Sequence, residues 1–355
     1  IAVTGSTGKT SVKESIAAIL RQTGSVHATA GNLNNHIGVP LTLLSMNDDT
    51  DVAVIEMGAS AAGEIAYLCD MAKPDIALIN NVQSSHIESF GSVEGIASAK
   101  GEIYVGLKPS GTAVLNLDEV WCNQWQELIA GKNLITYSFA DTGADLFARD
   151  PQLLGNGCYQ FVLCVPDLAE RPDYEQPISL SVPGAHQINN ALAAAACGLA
   201  AGASMQQIAS GLGSLSAVAG RLDIKQARSG ATVIDDSYNA SPSSFEAAIN
   251  VLANYPGRRV LVMGDMAELG DDASKLHSQV GIYAQQAGID ALYSLGDLSA
   301  HASLAFGGSH FAERDLLTDA LARELRSGSV SFLVKGSRSA QMELTVEMLL
   351  TRGNI

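Results

Sequence analysis

Positive charge is scarce in this sequence. Its 355 residues carry 21 lysines and arginines against 37 aspartates and glutamates, a formal net charge of −16. A chain this acidic is repelled by nucleic acid and by an anionic membrane surface, so neither is expected as a partner. Any phosphate it binds must be held locally, by a loop, a lysine and metal ions. Cysteine is sparse as well. Cys69, Cys122, Cys158, Cys164 and Cys197 form no C-x-x-C pair and no zinc-type spacing, and an odd, scattered set reads as reduced core thiols of a cytosolic protein. Long apolar runs are missing. The longest, 191–203, is rich in small residues, broken by glycine and too short to span a bilayer. No signal peptide, internal repeat or low-complexity tract is visible. The 47% of hydrophobic residues excludes disorder, and the length suggests two or three domains.

What is present begins at once. Ile1-Ala2-Val3 reads as the end of a buried strand, Gly5-Ser6-Thr7-Gly8 as a turn, and Lys9-Thr10-Ser11 as the start of a helix over 10–22. A strand, a glycine turn and a helix N-terminus together present backbone N–H groups and a positive dipole end to an anion. Lys9 reaches terminal phosphates in such a loop, and the Thr10 hydroxyl can ligate Mg²⁺. The spacing is G-x-x-G-K-T, shorter than the common G-x-x-x-x-G-K-[ST]. The bland alternative is a tight turn with a solvated lysine. The chain lacks an initial methionine, so a natural N-terminal segment is expected to precede it.

Short β-branched or aliphatic runs at 25–30, 52–57, 75–80, 112–117 and 134–138 alternate with helical stretches, including 92–107 and 119–130. This pattern implies an α/β fold with a mostly parallel sheet and helices on both faces. The segments 147–148, 158–165 and 178–182 read as antiparallel additions, followed by helices over 186–201 and 205–211. A second alternation has strands at 231–235, 259–263, 291–295, 309–311 and 331–335. The small, uncharged stretch 214–220 is the expected boundary and hinge. The domains are then 1–217 and 218–355.

Glu56 ends the second of these runs after the loop, where an open α/β sheet binds its ligands, and is a candidate Mg²⁺ ligand beside Thr10. His86 sits in a polar loop at the same sheet edge, where hydrogen bonding is the commoner role. Ala97, Lys100 and Tyr104 share one helix face. Lys100 reads either as a solvated residue or as an active-site amine with a depressed pKa, the form that reacts with carbon dioxide. Spacing alone does not decide.

These blocks together resemble the ATP-dependent Mur ligase family. The resemblance rests on G-S-T-G-K-T (5–10), G-N-L-N-N-H-I-G-V-P-L-T-L-L (31–44), V-I-E-M-G (54–58), H-I-E (86–88) and A-K-G-E-I-Y (99–104). It continues through D-D-S-Y-N-A-S-P (235–242), V-M-G-D-M-A-E-L-G (262–270), L-H-S-Q-V-G (276–281) and V-K-G-S-R-S (334–339). It implies a P-loop-type ATPase domain followed by a Rossmann-like C-terminal domain. These correspond to the second and third of the family's three domains, without the one that holds a UDP group. It implies a bacterial, cytoplasmic and monomeric ligase of the cell wall, using ATP and two Mg²⁺ ions. Its substrates would be UDP-N-acetylmuramoyl-tripeptide and D-alanyl-D-alanine, joined through an acyl phosphate. By the same resemblance Gly5, Ser6, Thr7, Gly8, Lys9, Thr10 and Ser11 serve the ATP phosphates, Thr10 and Glu56 share one metal, and His86 with Lys100, as a carbamate, belongs to a second. Asn190 contacts adenine, Arg221 reaches ATP from the C-terminal domain, and Asp236 meets ribose, with Asp235 the alternative register. Asn35, Asn239 and Lys335 are placed near substrate, and His277 is a weak candidate base. Plainer roles stay open: Asn190 as a helix stabiliser, Arg221 as an ion-pairing residue, and Asp265, Glu268 and His277 in hydrogen bonds at a helix start. The competing functions are a folyl- or cyanophycin-type amide ligase and a nucleotide-binding switch.

Overall fold

A computed structural model describes residues 1–83, 90–166, 174–326 and 329–351. They form two compact units. The first comprises residues up to Leu215 apart from two short stretches, Gly155–Gly157 and Val182–Gly184, which go with the second.

The first unit is a nine-stranded sheet. Its strands are β1 (Ala2–Thr4), β2 (Val26–Ala28), β3 (Val52–Glu56), β4 (Ile76–Ile79), β5 (Thr112–Asn116), β6 (Asn133–Ser138), β7 (Leu146–Leu153), β8 (Tyr159–Cys164) and β9 (Glu175–Ser179). Their order is β2-β3-β1-β4-β5-β6-β7-β8-β9. The first seven positions run parallel, and β8 and β9 add antiparallel. Alternate residues feed opposite cores. Val3, Val54, Leu78 and Val114 face the helices Lys9–Leu20, His186–Ala200 and Met205–Gly213. Ala2, Ile55, Ala77, Ile79 and Leu115 face Glu64–Ala72, Val93–Val105 and Cys122–Ile129. Burial on both sides is why the central strands read as continuous apolar runs. Strand β1 lies between β3 and β4, so the chain departs to either side of it. That reversal opens a crevice at the carboxyl ends of the strands.

The second unit is a six-stranded sheet, with β10 (Asp223–Gln226), β11 (Thr232–Asp236), β12 (Arg258–Gly264), β13 (Ala291–Leu295), β14 (Ser309–Phe311) and β15 (Val330–Lys335) in the order β10-β11-β15-β12-β13-β14. All are parallel except the edge strand β10. Helices Pro242–Ala253, Ala273–Gln286 and Ala300–Phe306 cover one face, and Arg314–Glu324 and Glu343–Thr351 the other. Both units are thus α/β with helices on both faces, as the strand-helix alternation predicts.

Two elements depart from the sequence pattern. Strand β10, Asp-Ile-Lys-Gln, has no apolar run to announce it. It is held to β11 by ladder pairing and by Lys225, whose ammonium meets Asp235 at 2.5 Å and Asp223 at 3.2 Å. Strand β7 runs well past 147–148. A register shift between Arg149 and Gln152 absorbs Asp150, which has a φ of 53°, and Pro151. A bulge carries a residue and a proline that regular pairing rejects.

Helix Met205–Gly213 presses on Lys9–Leu20 through Gly211, where an added Cβ would lie 2.5 Å from the Ile19 Cα. Gly211→Val is therefore expected to cost about 1–3 kcal/mol by overpacking. An unchanged midpoint in urea denaturation would contradict this close packing.

Candidate active site

Gly8 carries the phosphate loop into its helix. Its φ of 75° is in the left-handed region, and an added Cβ would stand 2.7 Å from Asn80 Nδ2 and 2.9 Å from Asn190 Oδ1. Only glycine satisfies both constraints. The helix Lys9–Leu20 has no side-chain cap at its start, a helix N-terminus of the kind that suits an anion. The Lys9 ammonium donates to the carbonyls of Gly5 at 2.7 Å and Ser6 at 3.2 Å, which holds it beside the loop. Ser11, on the first turn, accepts through its carbonyl from the Ser15 hydroxyl.

The loop is braced from the end of β4. Asn81 accepts at its backbone carbonyl from the Ser6 amide at 2.9 Å, and at Oδ1 from the Thr7 amide at 2.9 Å. Gln83 exchanges two hydrogen bonds with the Ser6 hydroxyl, at 2.9 and 3.1 Å. Asn80 Nδ2 donates to Thr7 O and to Asn190 Oδ1. Asn190 in turn donates to Gln187 Oε1 at 3.0 Å. Its amide thus ties the phosphate loop to the start of helix His186–Ala200. Glu119 accepts from the Val82 amide at 3.1 Å, and burial pushes its carboxyl up to about 7.

Glu56, at the end of β3, is 2% exposed. Its Oε2 accepts from the Thr10 hydroxyl at 2.9 Å, and its Oε1 from Asn34 Nδ2 at 2.7 Å. Among the described residues no cation pairs with it. A buried carboxylate answered only by neutral donors is short of positive charge. Carboxylate, hydroxyl and amide oxygens are the hard ligands Mg²⁺ prefers, so this donor set fits that ion. Asn34, rather than Asn35, reaches the carboxylate. Asn35 turns its Oδ1 to the amides of Ile37 and Gly38.

Lys100 projects from helix Val93–Val105, 4% exposed, with Ala97 and Tyr104 buried on the same face. No hydrogen-bond or ion-pair partner for it is found among the described residues. Burial, aided by the charge of Lys9, holds its pKa well below the usual lysine range. His86 lies outside the described residues.

In the second unit, Arg221, Asp236, Asn239 and Lys335 gather at the ends of β11 and β15. The Arg221 guanidinium lies 4.3 Å from the Tyr238 ring centroid. Asp236 accepts from the Leu222 amide at 3.1 Å and from the Lys335 ammonium at 2.5 Å. Burial raises the Asp236 carboxyl, with Lys335 pulling against it. Lys335 also donates to the Asn239 carbonyl at 2.9 Å, while Asn239 Oδ1 accepts from Ala240. Asp235 points elsewhere, to Lys225 and Ser237. Asp265 accepts from the Ser299 amide at 2.7 Å. His277 is fully buried. Its Nδ1 faces the Ala273 carbonyl at 2.7 Å and its Nε2 accepts from the Met266 amide at 2.9 Å. Both ring nitrogens are engaged, so His277 is a structural residue and not a base.

Sequence reasoning missed Asn34, Asn80, Asn81 and Glu119. The paired asparagines at a strand end, and Asn34 beside Asn35, were the available signals.

Comparisons with known proteins place the chain in a family. Residues 3–198 match the Mur ligase middle domain, and residues 220–338 match the Mur ligase, glutamate ligase domain. The chain belongs to the Mur ligase family and is an ATP-dependent ligase. It is 45% identical, over 99% of its length and 77% of the relative's, to the UDP-N-acetylmuramoyl-tripeptide–D-alanyl-D-alanine ligase of Escherichia coli. Among solved structures it is similar to MurF of Acinetobacter baumannii, with a TM-score of 0.90 and 33% identity over 98% of this chain and 76% of that one. It also resembles Thermotoga maritima MurF ligase in complex with ADP, with a TM-score of 0.82 and 28% identity over 98% and 78% of the two chains. No helix among the described residues is long and apolar enough to cross a membrane.

Burial holds the His277 imidazole below its ordinary 6.5. Between that folded value and 6.5 the unfolded chain takes up the proton and the folded chain does not. Stability contributed by His277 is therefore complete above pH 6.5 and falls as the pH drops through that window, by at most about 1.4 kcal/mol per pH unit. Urea denaturation of His277→Gln should show a shallower loss between pH 7 and 5 than the parent. Parallel curves would refute the neutral assignment.

Proposed function

We propose that the chain joins D-alanyl-D-alanine to UDP-N-acetylmuramoyl-tripeptide, an amide ligation in the synthesis of peptidoglycan precursors. The observation that carries this reading is the buried Glu56–Thr10 pair at the phosphate loop, in a chain 45% identical to a ligase of that name. A terminal carboxylate oxygen of the tripeptide attacks the γ-phosphorus of ATP, and ADP leaves. The resulting acyl phosphate is attacked at its carbonyl carbon by the amine of D-alanyl-D-alanine. The tetrahedral intermediate expels inorganic phosphate, and the amine gives up a proton.

Positioning and charge neutralisation supply such catalysis. The N-terminal end of the helix Lys9–Leu20 and the Lys9 ammonium hold the phosphates and stabilise the charge that develops on them. Magnesium, two ions in this reading, neutralises phosphate oxygens when bound. Thr10 and Glu56 would hold one ion. His86 and Lys100 would serve the other, with Lys100 carbamylated. Carbamylation joins the neutral amine nitrogen to the carbon of carbon dioxide and releases a proton, converting a buried amine into an oxygen ligand. Arg221 is assigned to ATP by family position, Asn190 to the adenine side of the loop, and Asp236 to ribose. Asn239 and Lys335 are assigned to the incoming dipeptide, and the reaction to the cytoplasm, where the free thiols stay reduced.

ADP release should require D-alanyl-D-alanine as well as the tripeptide substrate. Release at full rate without the dipeptide would favour an ATPase switch instead. Lys100→Met should lower ligation at least about 100-fold. It should also abolish a carbamate resonance in ¹³C spectra recorded with labelled bicarbonate, a resonance whose absence from the parent would refute the carbamate.

A further inference from the structure

The helix after the phosphate loop contains a second lysine to which the ligation assigns no role. Lys13 lies one turn beyond Lys9 and is 1% exposed, among the largest fully buried side chains of the chain. Its neighbours Val12 and Ile16 are fully buried apolar residues, so a methionine or leucine would serve the core without burying a charge. The ammonium makes two contacts. It donates to the Thr29 carbonyl at 2.5 Å and meets the Glu14 carboxylate at 2.6 Å.

Thr29 is the informative partner. It follows β2, is 1% exposed, and is fixed through its own amide to Val54 O at 3.0 Å. Its hydroxyl accepts from the Glu56 amide at 2.9 Å. Glu56 then takes the Thr10 hydroxyl on its carboxylate, and Thr10 lies one turn before Lys13 on the same helix. The chain of contacts closes on itself: Lys13 to Thr29, Thr29 to Glu56, Glu56 to Thr10, and the helix back to Lys13. Every member is nearly excluded from solvent.

We propose that Lys13 is a positioning residue that acts through Thr29 to hold the Glu56 carboxylate against Thr10 at the geometry magnesium requires. The proposal rests on the assignment of Glu56 to magnesium. Partners that orient a metal ligand commonly change metal affinity about 10–100-fold when removed. Lys13 does not touch the phosphate loop itself, so nucleotide binding without metal is spared.

The test uses ADP and magnesium chloride as probes, with thermal unfolding as the readout. The magnesium concentration giving the half-maximal shift in Tm at saturating ADP should rise at least about tenfold in Lys13→Met. ADP affinity in the presence of EDTA should stay within about twofold. Thr29→Val, which keeps the volume but removes the hydroxyl, should reproduce the rise, and Thr29→Ser should restore the parent value. A Lys13→Met variant that loses Tm but keeps the parent magnesium midpoint overturns the proposal. If Lys13→Met does not fold, Thr29→Val decides: a raised midpoint supports the relay and an unchanged one overturns it. Glu56→Gln separates the two readings. A raised midpoint there with none in Lys13→Met or Thr29→Val refutes the role of Lys13 alone, whereas an unchanged midpoint in Glu56→Gln refutes the metal assignment as well.

Discussion

A carboxylate out of water, with no cation paired to it among the described residues, is the condition around which the first unit is arranged. Glu56 sits at the end of β3, 2% exposed, and among the described residues it receives a threonine hydroxyl and an asparagine amide. Burying a carboxylate away from water costs free energy unless it is hydrogen-bonded or matched by charge of the opposite sign. The fold supplies the hydrogen bonds. Thr10 comes from the helix after β1, Thr29 from the end of β2, Asn34 from the segment that follows it, and Glu56 from β3. These residues come from three parts of the sequence and converge because β2, β3 and β1 are adjacent in a parallel sheet, so their carboxyl ends open into one crevice.

The loop beside that carboxylate is stiffened in the same manner. A glycine turn is conformationally free in isolation. Here Ser6 and Thr7 are tied to Asn81 and Gln83, and Gly8 is pressed by Asn80 and Asn190. Those bonds fix the loop ahead of the helix start, and a preorganised helix N-terminus stabilises developing charge without having to reorganise. The brace comes from β4, and Glu119 after β5 holds that brace in turn. Neighbouring strands therefore transmit rigidity from the middle of the sheet to its reactive edge.

The parts of this arrangement legible in the sequence were those marked by periodicity or by a glycine. The central strands are apolar on both faces and announce themselves, and the loop is fixed by G-x-x-G-K-T. Glu56 could be read because its strand ends in it. Lys100 could be placed on a face with Ala97 and Tyr104 by helical spacing, but its burial is a property of the packing of that helix and not of the spacing. Asn34 was hidden because Asn35 is chemically identical, and only the backbone turn decides which amide faces the carboxylate. Strand β10 was hidden for another reason: it is polar, four residues long, and held at a sheet edge by ladder pairing and by Lys225. His277 looked like a candidate base by residue type, and its two hydrogen bonds to backbone groups show it to be structural.

Three lysines, Lys13, Lys100 and Lys335, are nearly excluded from solvent among the described residues of a chain with few cations, and the three environments differ in a way that separates their chemistry. Lys335 is paired with a carboxylate and also holds the Asn239 carbonyl, so its charge is matched where it lies. Lys13 is shared between the Thr29 carbonyl and the partly exposed Glu14 carboxylate. Lys100 has no hydrogen-bond or ion-pair partner among the described residues, and burial, with the charge of Lys9, lowers its pKa. Lowering the pKa of a buried lysine favours its neutral form, the form able to act as a nucleophile. The same residue type is thus paired with a carboxylate at Lys13 and Lys335 and left without one, among the described residues, at Lys100, and it is the anion that separates Lys100 from the other two.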